Sequence, residues 1–226
     1  MPTYEQKYVC YIDILGFSSA ISQPDHPHFD RSVGYFLNAL GLLENIPNKP
    51  DYLLNGLEVS QLSDCVAFSC AVDPASLSLL FDRVAHPQRE LLKGGLPSRG
   101  AITKGAIFHK NGYIFGPALV QAVEMEATAD FPRVILSIDV LQDLSYDLAS
   151  NNYSDKIACD PDGNRYVQYI ENWACMGNTN DFYQLKETIL LGLRTPSVEK
   201  KYKWLASKFN DRLDAKPLPN ITKIIF

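Results

Sequence analysis

Residues 7–22 read KYVCYIDILGFSSAIS, and this stretch decides the fold. From Tyr8 to Ile14 the side chains are almost all apolar, which is typical of a central β-strand. Gly16 then allows the chain to leave the strand through a tight turn. Asp13 interrupts the apolar run, and a carboxylate at this place either caps the following turn or binds a ligand.

The next segments predict a helix, a hairpin, a second helix and a long strand. Helical spacing over residues 29–45 predicts a buried face made of Val33, Phe36, Leu37, Leu40 and Leu43. Two short strands, LEVSQL and CVAFSC, predict a β-hairpin with Ser63-Asp64 at its tip. A helix follows from the Asp73-Pro74 cap to Gly94-Gly95, and residues 97–116 alternate apolar and polar side chains around a KNG turn.

This order of elements is the split βαββαβ arrangement of a ferredoxin-like sheet, so we expect an α+β sandwich with a mostly antiparallel sheet. Beyond it we expect a helix near 118–130, a strand and helical turn at 133–144, a late edge strand at 162–170, and a closing helix from an N-cap at Ser197. We interpret residues 1–226 as one domain with a core at about 8–140 and an extension at 141–226; residues 151–165 are an excursion within it.

The composition argues against a general electrostatic grip on nucleic acid or an anionic membrane. The formal net charge of the 226 residues is −5, and no long basic block offsets it. The five cysteines lack CxxC spacing, which indicates reduced core thiols in a cytoplasmic protein. No apolar run reaches the roughly 18 residues that a membrane helix needs, and no signal-peptide core is present, so we expect neither a membrane span nor export.

Asp13 and Asp64 converge in the predicted sheet, because the end of the first strand lies beside the hairpin tip. Two neighbouring carboxylates disfavour each other's ionisation unless a cation lies between them. A pair of Mg²⁺ or Mn²⁺ ions resolves this, since these ions take oxygen ligands from carboxylates, water and phosphates, and the carbonyl of Ile14 offers a further ligand. Taken alone, Asp64 is also ordinary hairpin-tip chemistry.

The histidines carry less information. His26 and His28 lie in a proline-containing loop that does not fix both rings, so we do not interpret them as a metal pair, and we expect His109 on the surface.

Four segments resemble, in this order, the catalytic core of class III nucleotidyl cyclases: YIDILGFS, SDCVAF, RGAITKG and GYIFGPALVQAVEMEA. Residues 116–137, 162–170 and 198–205 look most like the short pyrimidine nucleotide cyclases of bacterial Pycsar antiphage systems. The resemblance implies a homodimer with composite active sites. It also implies conversion of UTP or CTP to the 3′,5′-cyclic monophosphate, a messenger that acts on a separate effector protein in antiviral defence.

The matching positions imply roles for individual residues. Asp13, Asp64 and the carbonyl of Ile14 match the ligands of two divalent ions, Mn²⁺ or Mg²⁺. Tyr11 matches a position of the family that faces the triphosphate, and so does the turn formed by Leu15, Gly16 and Phe17.

The base-reading and cationic positions depart from purine cyclases. Ser60 and Tyr113 stand where purine cyclases have a Lys/Asp pair that reads adenine, which fits a site that does not read adenine. Arg99, Lys104 and Arg133 are the candidate cations for the phosphates, and Arg99 is the candidate catalytic one, although isolated strand charges are also often simply solvated.

Two helix positions leave the function open. Val120 and Glu124 stand where many class III enzymes have a ribose-orienting Asn and a transition-state Arg, and a compensating cation is needed if Glu124 faces inward. A second hypothesis is therefore a catalytically degenerate cyclase fold that binds a nucleotide or a partner. A third is another palm-like nucleotidyltransferase that joins two nucleotides.

Overall fold

The apolar run that follows Lys7 forms an interior strand of a mixed sheet. The computed structural model describes residues 3–22, 29–44, 55–147, 153–171 and 179–226. Its strands are β1 Glu5–Ile14, β2 Glu58–Leu62, β3 Cys65–Ala71, β4 Ser98–Lys110, β5 Tyr113–Phe115, β6 Val134–Leu136, β7 Ile157–Cys159 and β8 Arg165–Val167.

The helices follow the sequence signals described above in most places. They are α1 Phe17–Ile21, α2 Phe29–Glu44, α3 Pro74–Lys93, α4 Pro117–Thr128, α5 Ile138–Asp147, α6 Thr179–Leu193 and α7 Glu199–Ala215, with a short 3-10 helix at Tyr153–Asp155. The cap of α3 is the predicted one, because the side chain of Asp73 accepts a hydrogen bond from the backbone N–H of Ser76 at 2.8 Å.

The strand order of the sheet is β2-β3-β1-β4-β6-β8-β7, and β5 pairs with β4. β1 is antiparallel to both β3 and β4, as the split βαββαβ arrangement requires. The predicted ferredoxin-like core is therefore confirmed. β6 adds to β4 in parallel, and β8 and β7 extend the sheet beyond it.

Alternation along β1 separates the two faces of the sheet. Tyr8, Cys10 and Ile12 belong to the large buried core, together with apolar residues of α3, α5, α6 and α7. Val9 faces the other way and packs with Ile107 and Ala118, because α4 lies across this second face. Asp13 has the same parity as Val9, so its side chain lies on the α4 face.

Several expectations about the extension are wrong. β8, predicted as an edge strand, lies between β6 and β7, and the short strand β7 forms the edge instead. α6 was not anticipated. α7 has Val198 rather than Ser197 as its N-cap, without a capping side chain.

The burial of some predicted core residues also differs. Leu37 is 60% exposed, because the buried face of α2 contains Phe36 and Ala39. Cys10 and Cys70 are buried thiols, whereas Cys159 is exposed.

Two features of the described ranges complete the fold. None of the helices in them combines the length and apolar character needed to cross a bilayer. The loop with His26 and His28 lies outside the described residues, as does Cys175.

Candidate active site

The carboxylates of Asp13 and Asp64 meet at one end of the sheet. Asp13 stands in register between Cys65 on β3 and Arg99 on β4. Asp64 follows Ser63, which turns the hairpin with a left-handed φ of 60°. The backbone N–H of Ile14 donates to the carbonyl oxygen of Asp64 at 3.1 Å, so a main-chain hydrogen bond ties the strand end to the hairpin tip.

Cys65 completes a group of three ligand-bearing side chains. Its Sγ lies 3.6 Å from Oδ1 of Asp13 and 3.8 Å from Oδ1 of Asp64. One ligand atom from each residue lies within 4.8 Å of the other two, and all three side chains are half-buried. Burial, assisted by the charges of Asp13 and Asp64, raises the pKa of the Cys65 thiol to about 11.

Tyr11 supports this group from the same face of β1. Its hydroxyl donates to Sγ of Cys65 at 2.8 Å. Burial is also the main reason why the pKa of the Tyr11 phenol is raised. The predicted site residue Tyr11 therefore lies beside the two acids through its contact with Cys65.

Arg99 connects the sheet to α4. Its Nε lies 3.6 Å from Oδ2 of Asp13 and forms a closer ion pair with Oε1 of Glu126. Its Nη1 donates to the carbonyl oxygen of Ala129 at 3.4 Å. Burial raises the pKa of Glu126, although Arg99 opposes this effect.

The inward-facing acid of α4 is therefore Glu126, and the compensating cation is Arg99. Glu124 is exposed, as is Val120 four residues earlier, because both lie on the outer side of this helix. The expectation that Glu124 would need compensation does not apply.

In the turn after β1, Leu15 and Phe17 make contacts within the protein, and Gly16 is exposed. The N–H of Leu15 donates to the carbonyl oxygen of Pro97 at 2.8 Å. Gly16 is exposed and adopts a left-handed φ of 78° at the start of α1. The ring of Phe17 is buried, 4.6 Å from the ring of Phe36, so its side chain belongs to a small core beneath the turn.

Ser60 lies on the same face but is already engaged. Its hydroxyl donates to the carbonyl oxygen of Gly112 at 3.1 Å and lies 3.0 Å from Nε2 of His109. Nε2 of His109 is then the donor to Ser60, and Nδ1 accepts from the hydroxyl of Ser69 at 2.9 Å. Tyr113, next to Gly112, is 71% exposed.

His109 is buried, so its expected place on the surface is wrong. The β4–β5 hairpin curls over the sheet, which brings the His109 ring onto β2 and β3. Burial lowers the pKa of this imidazole to about 4.

Two predicted phosphate-binding cations are not part of the cluster. Lys104 has the opposite parity to Arg99 on β4, and its Nζ pairs with Asp143 on the other face of the sheet at 2.8 Å. Arg133 is buried and forms ion pairs with Asp160 and Asp162. The structure thus brings Asp13, Asp64 and Arg99 together, with Tyr11 beside them, and leaves Lys104 and Arg133 elsewhere.

Sequence reasoning missed three residues of this region, namely Cys65, Glu126 and His109. Cys65 directly follows Asp64, and this adjacency could have placed it at the site. Glu126 continues the i, i+4 stripe of the buried residues Ala118 and Ala122. His109 has no such signal, because its partners come from the non-local curl of the hairpin.

The cluster combines two carboxylates, a thiol and a guanidinium at the end of a rigid sheet. Carboxylate oxygens suit divalent cations, and a guanidinium suits phosphate oxygens. The arrangement can therefore hold a cation and an anionic ligand side by side.

No protein-family model matches the chain, and no curated protein qualifies as a relative. Among solved structures, the guanylyl cyclase domain of the RhoGC fusion protein from the aquatic fungus Blastocladiella emersonii is 16% identical, with a TM-score of 0.51; the match covers 74% of this chain and 96% of that one. The catalytic core of a rhodopsin-guanylyl cyclase with converted specificity, in complex with ATPαS, is 14% identical, with a TM-score of 0.50 and the same coverage. The chain therefore has the fold of the class III nucleotidyl cyclases.

Proposed function

We propose that the chain is a pyrimidine nucleotide cyclase that converts UTP or CTP to the 3′,5′-cyclic monophosphate and pyrophosphate. The observation that carries the proposal is the meeting of Asp13 and Asp64 at a strand end and a hairpin tip, on a sheet with the cyclase fold. Their oxygens fit hard divalent cations, and the carbonyl of Ile14 is the further ligand that the motif implies.

Asp13, Asp64 and the carbonyl of Ile14 would hold two divalent ions, Mn²⁺ or Mg²⁺. When bound, such ions lower the pKa of the ribose 3′-hydroxyl and stabilise the charge on the departing pyrophosphate. The residues of the chain orient the triphosphate. The backbone of Gly16 and Phe17 offers N–H donors at the exposed turn, whereas the N–H of Leu15 is already donated to Pro97. Arg99 has five N–H donors, more than its contacts with Asp13, Glu126 and Ala129 use, so others remain for phosphate oxygens.

The preference for a pyrimidine rests on what stands at the base-reading positions. Ser60 is neutral, and its hydrogen is already donated to Gly112. Tyr113 presents an exposed ring rather than a carboxylate. Neither residue supplies the charged Lys/Asp pair that reads adenine.

A homodimer is part of the proposal. Val120 and Val123 on α4 and Tyr113 and Phe115 on β5 are exposed apolar side chains near the site face. Their burial against a second copy would close the site from solvent. The cyclic product would act on a separate effector in antiphage defence within the cytoplasm.

The second candidate function is nucleotide binding without turnover. Val120 and Glu124 favour it, because both are exposed and neither can orient a ribose or stabilise a transition state as Asn and Arg do.

One experiment separates these functions. The protein is incubated with each of the four NTPs and Mn²⁺ or Mg²⁺, and the products are identified by mass spectrometry. We expect cyclic UMP or cyclic CMP, with loss of pyrophosphate release in Asp13→Asn and Asp64→Asn and wild-type release in the control Asp211→Asn, an exposed acid on α7. A cyclic purine as the main product refutes the base assignment, a dinucleotide product indicates the palm-like transferase, and an NTP that binds but is recovered intact indicates the binding module.

A further inference from the structure

The sulfur of Cys65 lies as far from the carboxylate oxygens of both acids as two ligands of one metal ion lie from each other. In a tetrahedral site, a metal–sulfur bond of about 2.3 Å and a metal–oxygen bond of about 2.1 Å separate sulfur and oxygen by about 3.6 Å. The distances from Sγ to Asp13 Oδ1 and Asp64 Oδ1 are 3.6 Å and 3.8 Å. These contacts are hydrogen bonds from the thiol to the two carboxylates, and their lengths match the sulfur–oxygen separation between two ligands of one ion.

Tyr11 holds the sulfur of Cys65 in place. Its O–H donates to Sγ at 2.8 Å, so the position of the sulfur is fixed by a contact separate from those with the two carboxylates. Hydrogen-bond partners of this kind orient the residues that bind a metal and change the affinity for the metal. Among the described residues, no other group of three His, Cys, Asp or Glu side chains has its ligand atoms this close together.

We propose that Asp13, Asp64 and Cys65 together bind one thiophilic divalent cation of the Zn²⁺ class. The metal–sulfur bond forms as the thiol proton leaves to solvent, and the two carboxylates supply the remaining protein ligands. Thiolate selects zinc over magnesium, because soft ligands favour zinc and Mg²⁺ favours oxygen. Such an ion would compete with the Mg²⁺ or Mn²⁺ of the proposed reaction for the same carboxylates.

The test uses Co²⁺, whose bond to thiolate gives an absorption band in the near ultraviolet, and contains no nucleotide. We expect the band in the wild-type protein, its displacement by Zn²⁺, and its loss in Cys65→Ser. The matched control Cys159→Ser removes an exposed thiol and should keep the band. Mn²⁺ binding measured by electron paramagnetic resonance should remain in Cys65→Ser, which also shows that this variant folds.

Tyr11→Phe is the second variant, and it should lower the Zn²⁺ affinity about tenfold without removing the band, as loss of a ligand's supporting partner does. A measurement on the unmodified chain keeps the proposal testable if Cys65→Ser does not fold. Zn²⁺ should slow alkylation of Cys65 by iodoacetamide and leave that of Cys159 unchanged, as read from peptide masses.

Three results would overturn the proposal: Co²⁺ binding without the band, a band that persists in Cys65→Ser, or alkylation of Cys65 that Zn²⁺ does not slow. This inference and the proposed function both use Asp13 and Asp64, but each has its own test. A protein that shows the band and cyclises no nucleotide refutes the proposed function alone. A cyclase without the band refutes this inference alone.

Discussion

Gly100→Ala should separate the two strands that carry the site. Gly100 lies on β4 opposite Ile12 of β1, and a Cβ there would lie 2.1 Å from the carbonyl oxygen of Tyr11 and 3.1 Å from the Cα of Ile12. A carbon and an oxygen need about 3.3 Å, so the backbones must move apart by about 1 Å. Both atoms belong to the main chain of β1, so no side-chain rotation relieves the clash.

The expected loss of stability is about 3 kcal/mol, the upper end of the usual cost of overpacking. For a chain of this size, that loss lowers the Tm by roughly 6–12 °C. The matched control adds the same methyl group where there is room: a Cβ at Gly34 in α2 meets no atom within 4 Å. Gly34→Ala should stabilise the protein by about 0.5–1 kcal/mol, because alanine has less freedom to lose than glycine.

The measurement is thermal and urea unfolding of both variants beside the wild-type protein. A Gly100→Ala protein within about 0.5 kcal/mol of the wild type would refute the reasoning. So would a Gly34→Ala protein that is destabilised as much as Gly100→Ala, since the penalty would then not depend on the contact with Tyr11.

Two further predictions concern charges near the site. Arg99→Met leaves the buried Glu126 without its cation, so urea unfolding at neutral pH should show a loss of roughly 1–3 kcal/mol in the free energy of unfolding. The double variant Arg99→Met/Glu126→Leu should recover most of this loss. A double variant that is no more stable than Arg99→Met contradicts the pairing. For His109, the folded-state pKa of about 4 lies below the usual 6.5, so its stabilising contribution is present above pH 6.5 and is lost as the pH falls to about 4. The loss should approach about 3 kcal/mol, and urea unfolding between pH 7 and pH 4 should show a shallower dependence in His109→Gln; equal slopes in the two proteins would count against it.

The sequence carries the local elements of the site well. The apolar run to Ile14 and the hairpin around Asp64 were predictable, because strand alternation and turn residues act over a few positions. The helix α6 also carries a signal, since Phe182, Leu185 and Ile189 recur at three- and four-residue intervals. The three-residue strand β7 carries almost none, because its pairing with β8 is its main feature.

Some side chains of the site are placed by local sequence patterns, and others are placed by contacts between distant parts of the chain. Alternation along β4 puts the side chains of Arg99 and Lys104 on opposite faces of the sheet, so the sequence alone could have excluded Lys104 from the site. The burial of Glu126 follows from the helical stripe of α4. The contacts of His109 with Ser60 and Ser69 depend on how far a hairpin curls, and no local pattern encodes that curl.

The hydrogen bond from the N–H of Ile14 to the carbonyl of Asp64 makes the spacing of the two acids a property of the backbone. Each aspartate has one methylene between its Cα and its carboxylate, so the gap between the two headgroups is set before any ligand arrives. Glutamate would project farther by one carbon, while the main chain stays tied. At Asp13 and Asp64 the length of the side chain therefore matters as well as its charge, and a gap that is preorganised in this way favours ligands of one size.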